Sequence, residues 1–489
     1  MRKNSSLVES SEYNAIHSRI LKRLSLVELC LAALAFFLVT VLFVSRFFYL
    51  NFETPVRSSN LPGSVEWLGS IKVASPPLPL PLPLPLPLPS SLENEGMNVS
   101  SPSIEIEYMN ISSPSFENED MNVSSESYES EELKEVRFLD EGGDGCDIFD
   151  GNWVWDETYP LYHSSDCPFM DGGFRCSENS RPNDQYTKWR WQPKHCNLPR
   201  FDAEKLLEKL RNKRVVFAGD SIARNQWESL LCLLSTAVSN KSSIYEVNRN
   251  PITKHSGFLI FKFDHFNCTV EYYRSPFLVL LGHPPPKSPP NVRYALKVDQ
   301  MDRSANRWSQ ADLLILNSGR WWTYEKTLRT GSNFEEGKKM KMNMSVEAAY
   351  KRSMETVVDW VKNKVNKKKT LVYFRTYSPS HFRGGSWKNG GGCHLETLPE
   401  LGPLSGSEHS YVKIVSDVLS KRASSLEMLN VTNMSMRRKD GHPSIYNNKG
   451  KNKSPTHIQD CSHWCLPGVP DSWNELLYAI FFKRQLIRT

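Results

Sequence analysis

The most informative part of the sequence is the stretch RVVFAGDSIARNQ at residues 214–226. Its β-branched first part, 214–218, predicts a short buried strand, and residues 222–234 predict a helix. Between them lies Gly219-Asp220-Ser221, which places a hydroxyl at the carboxyl end of a strand, where sites form in open α/β sheets. Backbone N–H groups at the helix start could stabilise an oxyanion there. Because Asp-Ser before a helix equally fits an N-cap, the tripeptide alone is weak evidence for catalysis.

Other apolar runs continue the strand and helix pattern along the chain. Residues 311–316 and 370–374 predict buried strands, and three segments predict helices, namely 346–365, 409–422 and 472–485. Strands that alternate with helices indicate an α/β fold with a parallel sheet covered on both faces. Residues 142–200 are instead rich in Cys and Trp, and we expect a separate irregular subdomain there, before the α/β domain at 201–489.

The N-terminal region has the composition of a membrane anchor. Residues 24–50 are almost uninterruptedly apolar, and a helix needs about 20 such residues to cross a bilayer core. Arg19, Lys22 and Arg23 precede them, so the positive-inside rule places the tail 1–23 in the cytosol and the rest of the chain in the lumen. A cleaved signal peptide is the alternative, but the long segment and the lack of an A-x-A site favour an uncleaved anchor.

Residues 51–141 have the composition of an extended, disordered stalk. Repeated Leu-Pro up to Pro89 favours a stiff polyproline II rod. A 12-residue repeat of Met-Asn-Val/Ile-Ser-Ser follows, with three N-x-S sequons among Ser and Glu. Such a stalk would hold a folded domain away from the membrane.

Charge is distributed unevenly along the chain. Residues 92–141 hold 14 Asp and Glu against Lys134 and Arg137, although the whole chain has a net charge of +6. The region after the stalk is therefore basic, which suits a polyanionic partner such as pectin or nucleic acid, or simply a soluble basic surface. Because no nucleic-acid-binding motif is present, nucleic acid is not an expected partner.

Cysteine usage indicates an oxidising compartment. Eight cysteines lie in the globular region without a repeated CxxC pattern, which favours disulfides. Cys268 lies in the sequon Asn267-Cys268-Thr269 and is expected to be an unpaired thiol. Nine N-x-S/T sequons after the anchor also fit the secretory pathway.

A second cluster of reactive side chains lies near the C-terminus, in Asp460-Cys-Ser-His-Trp-Cys465. Asp460 stands three residues before His463, so it could orient that imidazole while the imidazole takes the proton of Ser221. We therefore predict Ser221, His463 and Asp460 as a catalytic triad. A zinc site of Cys461, His463 and Cys465 is the alternative, but an oxidising compartment disfavours free thiolates, and no metal is expected.

Four longer motifs surround these residues. They are CDIFDGNWVW at 146–155, KWRWQ at 188–192, VFAGDSIARNQ at 216–226 and DCSHWCLPGVPDSWN at 460–474. Through them, the chain from about Cys146 to the C-terminus resembles the plant trichome birefringence-like family of polysaccharide O-acetyltransferases. The resemblance implies an SGNH/GDSL-hydrolase-like three-layer sandwich with a parallel sheet, behind a Golgi type II anchor. It also implies an acetyl-enzyme on Ser221, with Asp460 and His463 as its partners.

The resemblance has further implications for disulfides and for the acetyl donor. Four disulfides are implied, Cys146–Cys196, Cys167–Cys232, Cys176–Cys465 and Cys393–Cys461, although the sequence by itself leaves many pairings open. The implied donor is acetyl-CoA or an acetylated intermediate, handed over by a multi-span membrane protein, and no bound cofactor is expected.

An oxyanion donor is predicted after the strand at 311–316. The GDSL pattern has a side-chain Asn in its third block, and the nearest equivalent is Asn317 in LNSGRWW, which would act with the backbone N–H of Ser221. Because a Gly-Asn-Asp triplet is absent, Asn317 could instead be a turn residue that ends the strand.

The candidate substrate-binding residues are Arg224, Arg320, Trp321 and Trp322. The arginines could hold an acidic or neutral glycan while the indoles stack on sugar faces; alternatively, both tryptophans belong to the core. The glycine-rich stretch 381–398 lacks the context of a phosphate-binding loop and is predicted to face the glycan.

Three functions are compatible with these residues. The first is an O-acetyltransferase acting on pectin, xylan or mannan; the others are a polysaccharide acetylesterase and a non-catalytic pectin-binding protein that bridges and protects wall esters. A serine triad does not decide whether water or a sugar hydroxyl accepts the acyl group. The length of the resemblance favours transfer.

Overall fold

The computed structural model of the protein describes residues 146–402, 409–422, 425–447 and 458–488. The predicted tail, anchor and stalk, which together span 1–141, lie outside these residues and stay predictions. Within the described part, no helix is both long enough and apolar enough to cross a membrane.

Thirteen strands lie within the described ranges. They are β1 (Gly151–Trp155), β2 (Trp189–Pro193), β3 (Arg214–Gly219), β4 (Ile244–Glu246), β5 (Phe258–Phe263), β6 (Cys268–Arg274), β7 (Val279–Gly282), β8 (Tyr294–Met301), β9 (Leu313–Leu316), β10 (Ser332–Glu336), β11 (Lys339–Met340), β12 (Leu371–Arg375) and β13 (Leu426–Leu429). Seven of them form a central sheet in the order β13-β12-β9-β3-β6-β5-β4, four form a second sheet in the order β11-β10-β8-β7, and β1 pairs with β2.

Seven α-helices occur in the same part of the chain. They are α1 (Ala203–Lys209), α2 (Ser221–Ser235), α3 (Ala305–Trp308), α4 (Val346–Lys364), α5 (Ser410–Arg422), α6 (Thr432–Met436) and α7 (Val469–Arg488). The three predicted strands are confirmed as β3, β9 and β12, and the four predicted helices as α2, α4, α5 and α7. Their ends differ from the predictions by three residues or fewer.

The central sheet is mixed, which corrects the prediction of a parallel sheet. β13, β12, β9, β3 and β6 run parallel to one another, whereas β5 is antiparallel to both β6 and β4. The reason is local, because only residues 264–267 join β5 to β6, and so short a connection forms a hairpin but cannot cross over. Asn267 ends this turn in the left-handed conformation, with φ 47°.

Helices cover both faces of the central sheet, in the three layers expected. Val215 and Phe217 of β3 join a buried cluster with α1, α2 and α7, while Val216 and Ala218 join a second cluster with α4 and α5. Burial on both faces explains why β3 reads as a continuous apolar run in the sequence. The turn from β3 to α2 therefore lies at the carboxyl edge of the parallel strands.

The Cys- and Trp-rich segment packs on the same core. Trp153 of β1 faces Trp191 of β2 edge to face, with ring centroids 5.6 Å apart. Trp153 Nε1 donates to the Met434 carbonyl at 2.8 Å, and both indoles belong to the cluster that contains α2 and α7. The segment therefore shares its apolar contacts with the α/β domain instead of forming a core of its own.

Four disulfides join the pairs that the family resemblance implies. They are Cys146–Cys196, Cys167–Cys232, Cys176–Cys465 and Cys393–Cys461. Cys268 is free and buried, and burial raises the pKa of its thiol to about 12. A thiol held protonated in this way is a poor nucleophile, so Cys268 is a core residue.

Two buried carboxyl groups of α7 connect that helix to the Cys- and Trp-rich segment. Tyr162 Oη donates to Asp471 Oδ1 at 3.0 Å, and Tyr159 Oη donates to Glu475. Burial raises the pKa of Asp471 to about 7 and the pKa of Glu475 to about 7. Each acid therefore keeps its proton in the folded chain at pH values at which the unfolded chain has lost it.

We expect Glu475 to contribute a loss of stability as the pH rises from about 4.5 to about 7, and Glu475→Gln to remove that contribution. Because folding raises the pKa of Glu475, this group binds more protons in the folded state than in the unfolded state in this window, so its contribution favours unfolding as the pH rises. Urea unfolding of the full chain, followed by Trp fluorescence, measures the free energy of unfolding at about pH 5 and at about pH 7.5. The change in this free energy from the lower to the higher pH should be more positive in the variant than in wild type, by on the order of 1–3 kcal/mol.

The matched control is Glu347→Gln, at an exposed position in the first turn of α4. It should keep the wild-type pH dependence. A wild-type dependence in Glu475→Gln itself would contradict the assignment.

Candidate active site

In the turn after β3, different residues take the two roles that the sequence leaves open, the helix N-cap and the catalytic hydroxyl. Asp220 is the N-cap of α2, and its Oδ1 accepts the N–H of Ile222 at 2.9 Å. Ser221 is the first residue of the helix, and its Oγ lies 2.7 Å from His463 Nε2. The capping role thus belongs to the carboxylate of Asp220, and the hydroxyl of Ser221 faces the imidazole.

His463 lies between Ser221 and Asp460. Its Nδ1 is 2.7 Å from Asp460 Oδ2, on the side of the ring away from Ser221. Asp460 Oδ1 also accepts the backbone N–H groups of Ser462 and His463, at 3.1 and 3.0 Å. The structure therefore brings together the three predicted side chains, in the order that lets a serine pass its proton to a histidine.

Asp460 is an anion at neutral pH. Burial opposes its charge, but His463 and the two backbone donors outweigh burial, so the pKa of Asp460 lies well below its usual range. A carboxylate can only accept at Nδ1 of His463, so Nδ1 carries the proton of the neutral ring. The unprotonated Nε2 then faces the Ser221 hydroxyl as an acceptor.

Helix α2 also holds the backbone next to His463. Asn225 accepts the N–H of Trp464 at 2.8 Å and donates to the Trp464 carbonyl at 3.1 Å, and both residues are buried. One side chain therefore fixes the C-terminal loop to the helix that presents Ser221. Sequence reasoning missed Asn225, although its position four residues after Ser221 places it on the same face of a helix.

Two disulfides flank the loop that carries Asp460 and His463. Cys461 is bonded to Cys393, and Cys465 is bonded to Cys176. Neither sulfur is therefore a free thiolate, which removes the basis of the zinc alternative. Within the part of the chain that the structure describes, no group of His, Cys, Asp and Glu side chains could hold a metal ion.

Two further histidines, His442 and His381, contact the loop that carries Asp460 and His463. His442 Nδ1 lies 2.6 Å from the His463 carbonyl, and His442 Nε2 lies 2.7 Å from His381 Nδ1. The His442 ring also stacks on Trp464, with centroids 4.1 Å apart. His381 begins the stretch that is predicted to face the glycan; its Nε2 lies 3.1 Å from the Met436 carbonyl, and burial lowers its pKa to about 4.

The triad opens into a cleft of about 600 Å³. Phe174, from the Cys- and Trp-rich segment, lies on one side, with its ring centroid 5.5 Å from that of His463. Arg274 and Trp321 lie on the wall as well. A second cleft of about 470 Å³ near Arg200 contains none of the predicted catalytic residues.

Asn317 is not among the residues that line this cleft. It is buried, and its Nδ2 donates to Asp220 Oδ1 at 3.0 Å. Its amide also occupies the space beside Gly219, where an added Cβ would come within 1.9 Å of Asn317 Oδ1. Asn317 therefore supports the turn that carries Ser221, and its role as an oxyanion donor stays a prediction.

Burial excludes Trp322 as a substrate-binding residue, whereas Arg224 is buried but still lines the cleft. Trp322 is 0 % exposed and packs against Phe277 with ring centroids 5.3 Å apart, so no sugar can reach its face. Arg224 is buried between Glu228 and Asp171, at 2.7 and 2.9 Å. Burial opposes its charge, but these carboxylates outweigh it and raise the pKa of Arg224.

The other two candidates remain accessible. Trp321 is half-buried and lines the cleft. Arg320 is also half-buried, and its Nη1 donates to the Ser378 carbonyl at 3.0 Å. The two adjacent tryptophans therefore differ in exposure, because Trp321 is accessible in the cleft and Trp322 is fully buried.

Both parts of the described chain match known families. Residues 198–480 match PC-Esterase, a GDSL/SGNH-like acyl-esterase family found in Pmr5 and Cas1p. Residues 144–197 match the PMR5 N-terminal domain.

Three proteins of Arabidopsis thaliana illustrate how similar the relatives are. Protein trichome birefringence-like 9 is 48 % identical over 344 residues, which cover 68 % of this chain and 83 % of that protein. Protein trichome birefringence-like 6 is 44 % identical over 333 residues, or 68 % of this chain and 70 % of that protein. Protein trichome birefringence is 40 % identical over 351 residues, or 71 % of this chain and 58 % of that protein. With this identity over most of its length and a GDSL/SGNH-like acyl-esterase domain, the chain belongs to the trichome birefringence-like family.

Proposed function

We propose that the protein is an O-acetyltransferase that moves acetyl groups onto hydroxyls of a plant cell-wall polysaccharide through an acetyl-Ser221 intermediate. The observation that carries the proposal is the pair of 2.7 Å contacts that link Ser221 Oγ to His463 and His463 to Asp460. The acyl-esterase family supports the same chemistry, because ester cleavage and acyl transfer share the acyl-enzyme.

The first half of the reaction acetylates Ser221. Its Oγ attacks the carbonyl carbon of the acetyl donor while His463 Nε2 takes the hydroxyl proton. Asp460 stabilises the imidazolium that results. The tetrahedral intermediate then collapses, the bond to the leaving group breaks, and His463 returns the proton to that group.

The second half transfers the acetyl group to the polysaccharide. A sugar hydroxyl attacks the acetyl carbonyl and gives its proton to His463, and collapse of the second intermediate releases Ser221 as the proton returns to Oγ. The backbone N–H of Ser221, at the start of α2, is proposed to stabilise the oxyanion, because the first N–H groups of a helix have no carbonyl partner within that helix.

The donor, the partners and the location complete the proposal. The donor is acetyl-CoA or an acetylated intermediate, supplied to the lumen by a multi-span membrane protein. The chain is held as a type II protein in the Golgi membrane by residues 24–50, which places the cleft with the polysaccharide. An acetylesterase is the second candidate, favoured by the acyl-esterase description of the matched family.

We expect Ser221→Ala to lower acetyl transfer by at least about 10³-fold, because the variant has no atom that can form the acyl-enzyme. The full chain would be incubated with an acetyl donor and pectin, xylan or mannan oligosaccharides, and acetylated products would be measured by mass spectrometry. Ser420→Ala, at an exposed position of α5, is the control and should transfer acetyl groups like wild type.

Unchanged transfer by Ser221→Ala would reject the serine mechanism. Release of free acetate that outpaces transfer at high acceptor concentration would indicate the esterase. Polysaccharide binding without any acetyl adduct on Ser221 would indicate a non-catalytic bridging protein.

We expect Asp460→Asn to reduce transfer by about 10⁴-fold while the fold is kept, because an amide that donates to Nδ1 puts the imidazole proton on Nε2. The variant should also be less stable than wild type at neutral pH. Since folding lowers the pKa of Asp460, its contribution is present above the ordinary value of 3.8 and is lost as the pH falls towards the folded value, so the two stabilities should converge in acid.

Kinetics and urea unfolding at several pH values measure the two effects separately. Asp150→Asn removes an exposed carboxylate that pairs with Lys194 at 2.8 Å, and it should change neither. Wild-type turnover in Asp460→Asn would contradict the proposed role.

A further inference from the structure

Two tryptophans beside the cleft are surrounded by cations. Arg274 and Lys326 lie over the Trp321 ring, at 5.8 and 5.1 Å from its centroid. Lys326 also lies 4.9 Å from the centroid of Trp387, and Lys388 lies 5.0 Å from it on the same ring. Lys326 therefore bridges the two indoles, and the row continues from Trp321 to Lys388.

These cations repel one another. Burial lowers the pKa of Lys326, and the charges of Lys388 and Arg320 lower it further. The acids that line the cleft with Arg274 and Trp321 are engaged elsewhere. Asp171 pairs with Arg224, Asp460 with His463, and Asp220 accepts the N–H of Ile222. Within the described ranges, no ion pair joins Arg274, Arg320, Lys326 or Lys388 to a carboxylate. An anionic ligand would supply the missing negative charge.

The row is continuous with the catalytic cleft. Arg274 and Trp321 line the same cleft as Ser221 and His463. At its other end, Trp387 is 43 % exposed in the glycine-rich stretch, and Lys388 is exposed beside it. A chain molecule bound along the row would therefore reach the Ser221 hydroxyl.

The alternation of rings and cations suits one class of ligand. Indole faces pack on the apolar faces of sugar rings, and ammonium and guanidinium groups bind carboxylates. A neutral glycan would cover the rings but leave the cations uncompensated. A glycan that carries a carboxylate on its sugar units would satisfy both.

We propose that Trp321, Lys326, Trp387 and Lys388, which we call the Trp–Lys surface, together with Arg274, bind an acidic, uronate-containing polysaccharide and lead its hydroxyls to Ser221. The statement that this glycan is the acetyl acceptor rests on the proposed function. The binding itself does not depend on catalysis.

The test measures binding without chemistry. Full-length Ser221→Ala protein would be titrated, in the absence of an acetyl donor, with de-esterified oligogalacturonate and with the same oligomer fully methyl-esterified. We expect the acidic oligomer to bind at least about tenfold more tightly, and this preference to decline as salt screens the charges.

Two variants in the same background locate the binding site. Trp387→Ala removes an exposed ring and should weaken binding of the acidic oligomer by about tenfold, and Lys388→Gln should reduce the preference for the acidic oligomer. Both side chains are exposed, so the core is left intact. The controls are Lys362→Gln on α4 and Tyr245→Ala on β4, an exposed cation and an exposed ring away from the row, which should bind like the parent.

Three results would overturn the proposal: equal affinity for the two oligomers, parent-like binding by both Trp387→Ala and Lys388→Gln, or displacement of the acidic oligomer by coenzyme A. The last would assign the surface to the phosphates of the acyl donor. Failure to acetylate Ser221 would contradict the proposed function but would not affect the binding result. Failure to bind the acidic oligomer would contradict this inference but would not affect the proposed acetyl transfer.

Discussion

The active site depends on the first two turns of helix α2, which act on two distant parts of the chain at once. Ser221 and His463 are 242 residues apart in sequence, yet Oγ and Nε2 are 2.7 Å apart in space. Asn225, on the same helix, holds the Trp464 backbone through two hydrogen bonds. Because both contacts come from one rigid element, the distance from the hydroxyl to the imidazole is set by the docking of a single loop on a single helix.

The Cys- and Trp-rich segment stabilises that docking from the other side. Its Cys176 is bonded to Cys465, two residues after His463, and its Phe174 ring packs near the imidazole. Arg224 completes the connection, since this residue of α2 pairs with Asp171 of the segment. The arginine that was predicted to bind substrate therefore also joins the segment to the helix, and it lines the cleft. A buried cation with two carboxylate partners is costly to disrupt, so it favours one arrangement of these parts.

Acids lie beside the triad, and cations lie around Trp321 and Trp387. The acids near the triad are engaged locally, Asp460 with His463 and Asp171 with Arg224. The cations farther out, among them Lys326, lie over aromatic rings. Such a division lets the triad keep a carboxylate close to its histidine while the surrounding surface stays attractive to anions.

The amino-acid sequence alone determined the elements and the reacting groups. Local apolar runs predicted β3, β9 and β12 because a strand buried on both faces is recognisable from its own residues, and the spacing of Asp460 and His463 predicted their pairing. Tertiary structure alone decided the antiparallel edge at β5, the burial of Trp322 beside the accessible Trp321, the capture of Arg224, and the approach of Trp387 to Lys326. These depend on contacts between residues far apart in sequence, and neither the periodicity nor the residue type at one position records which distant neighbour will cover it.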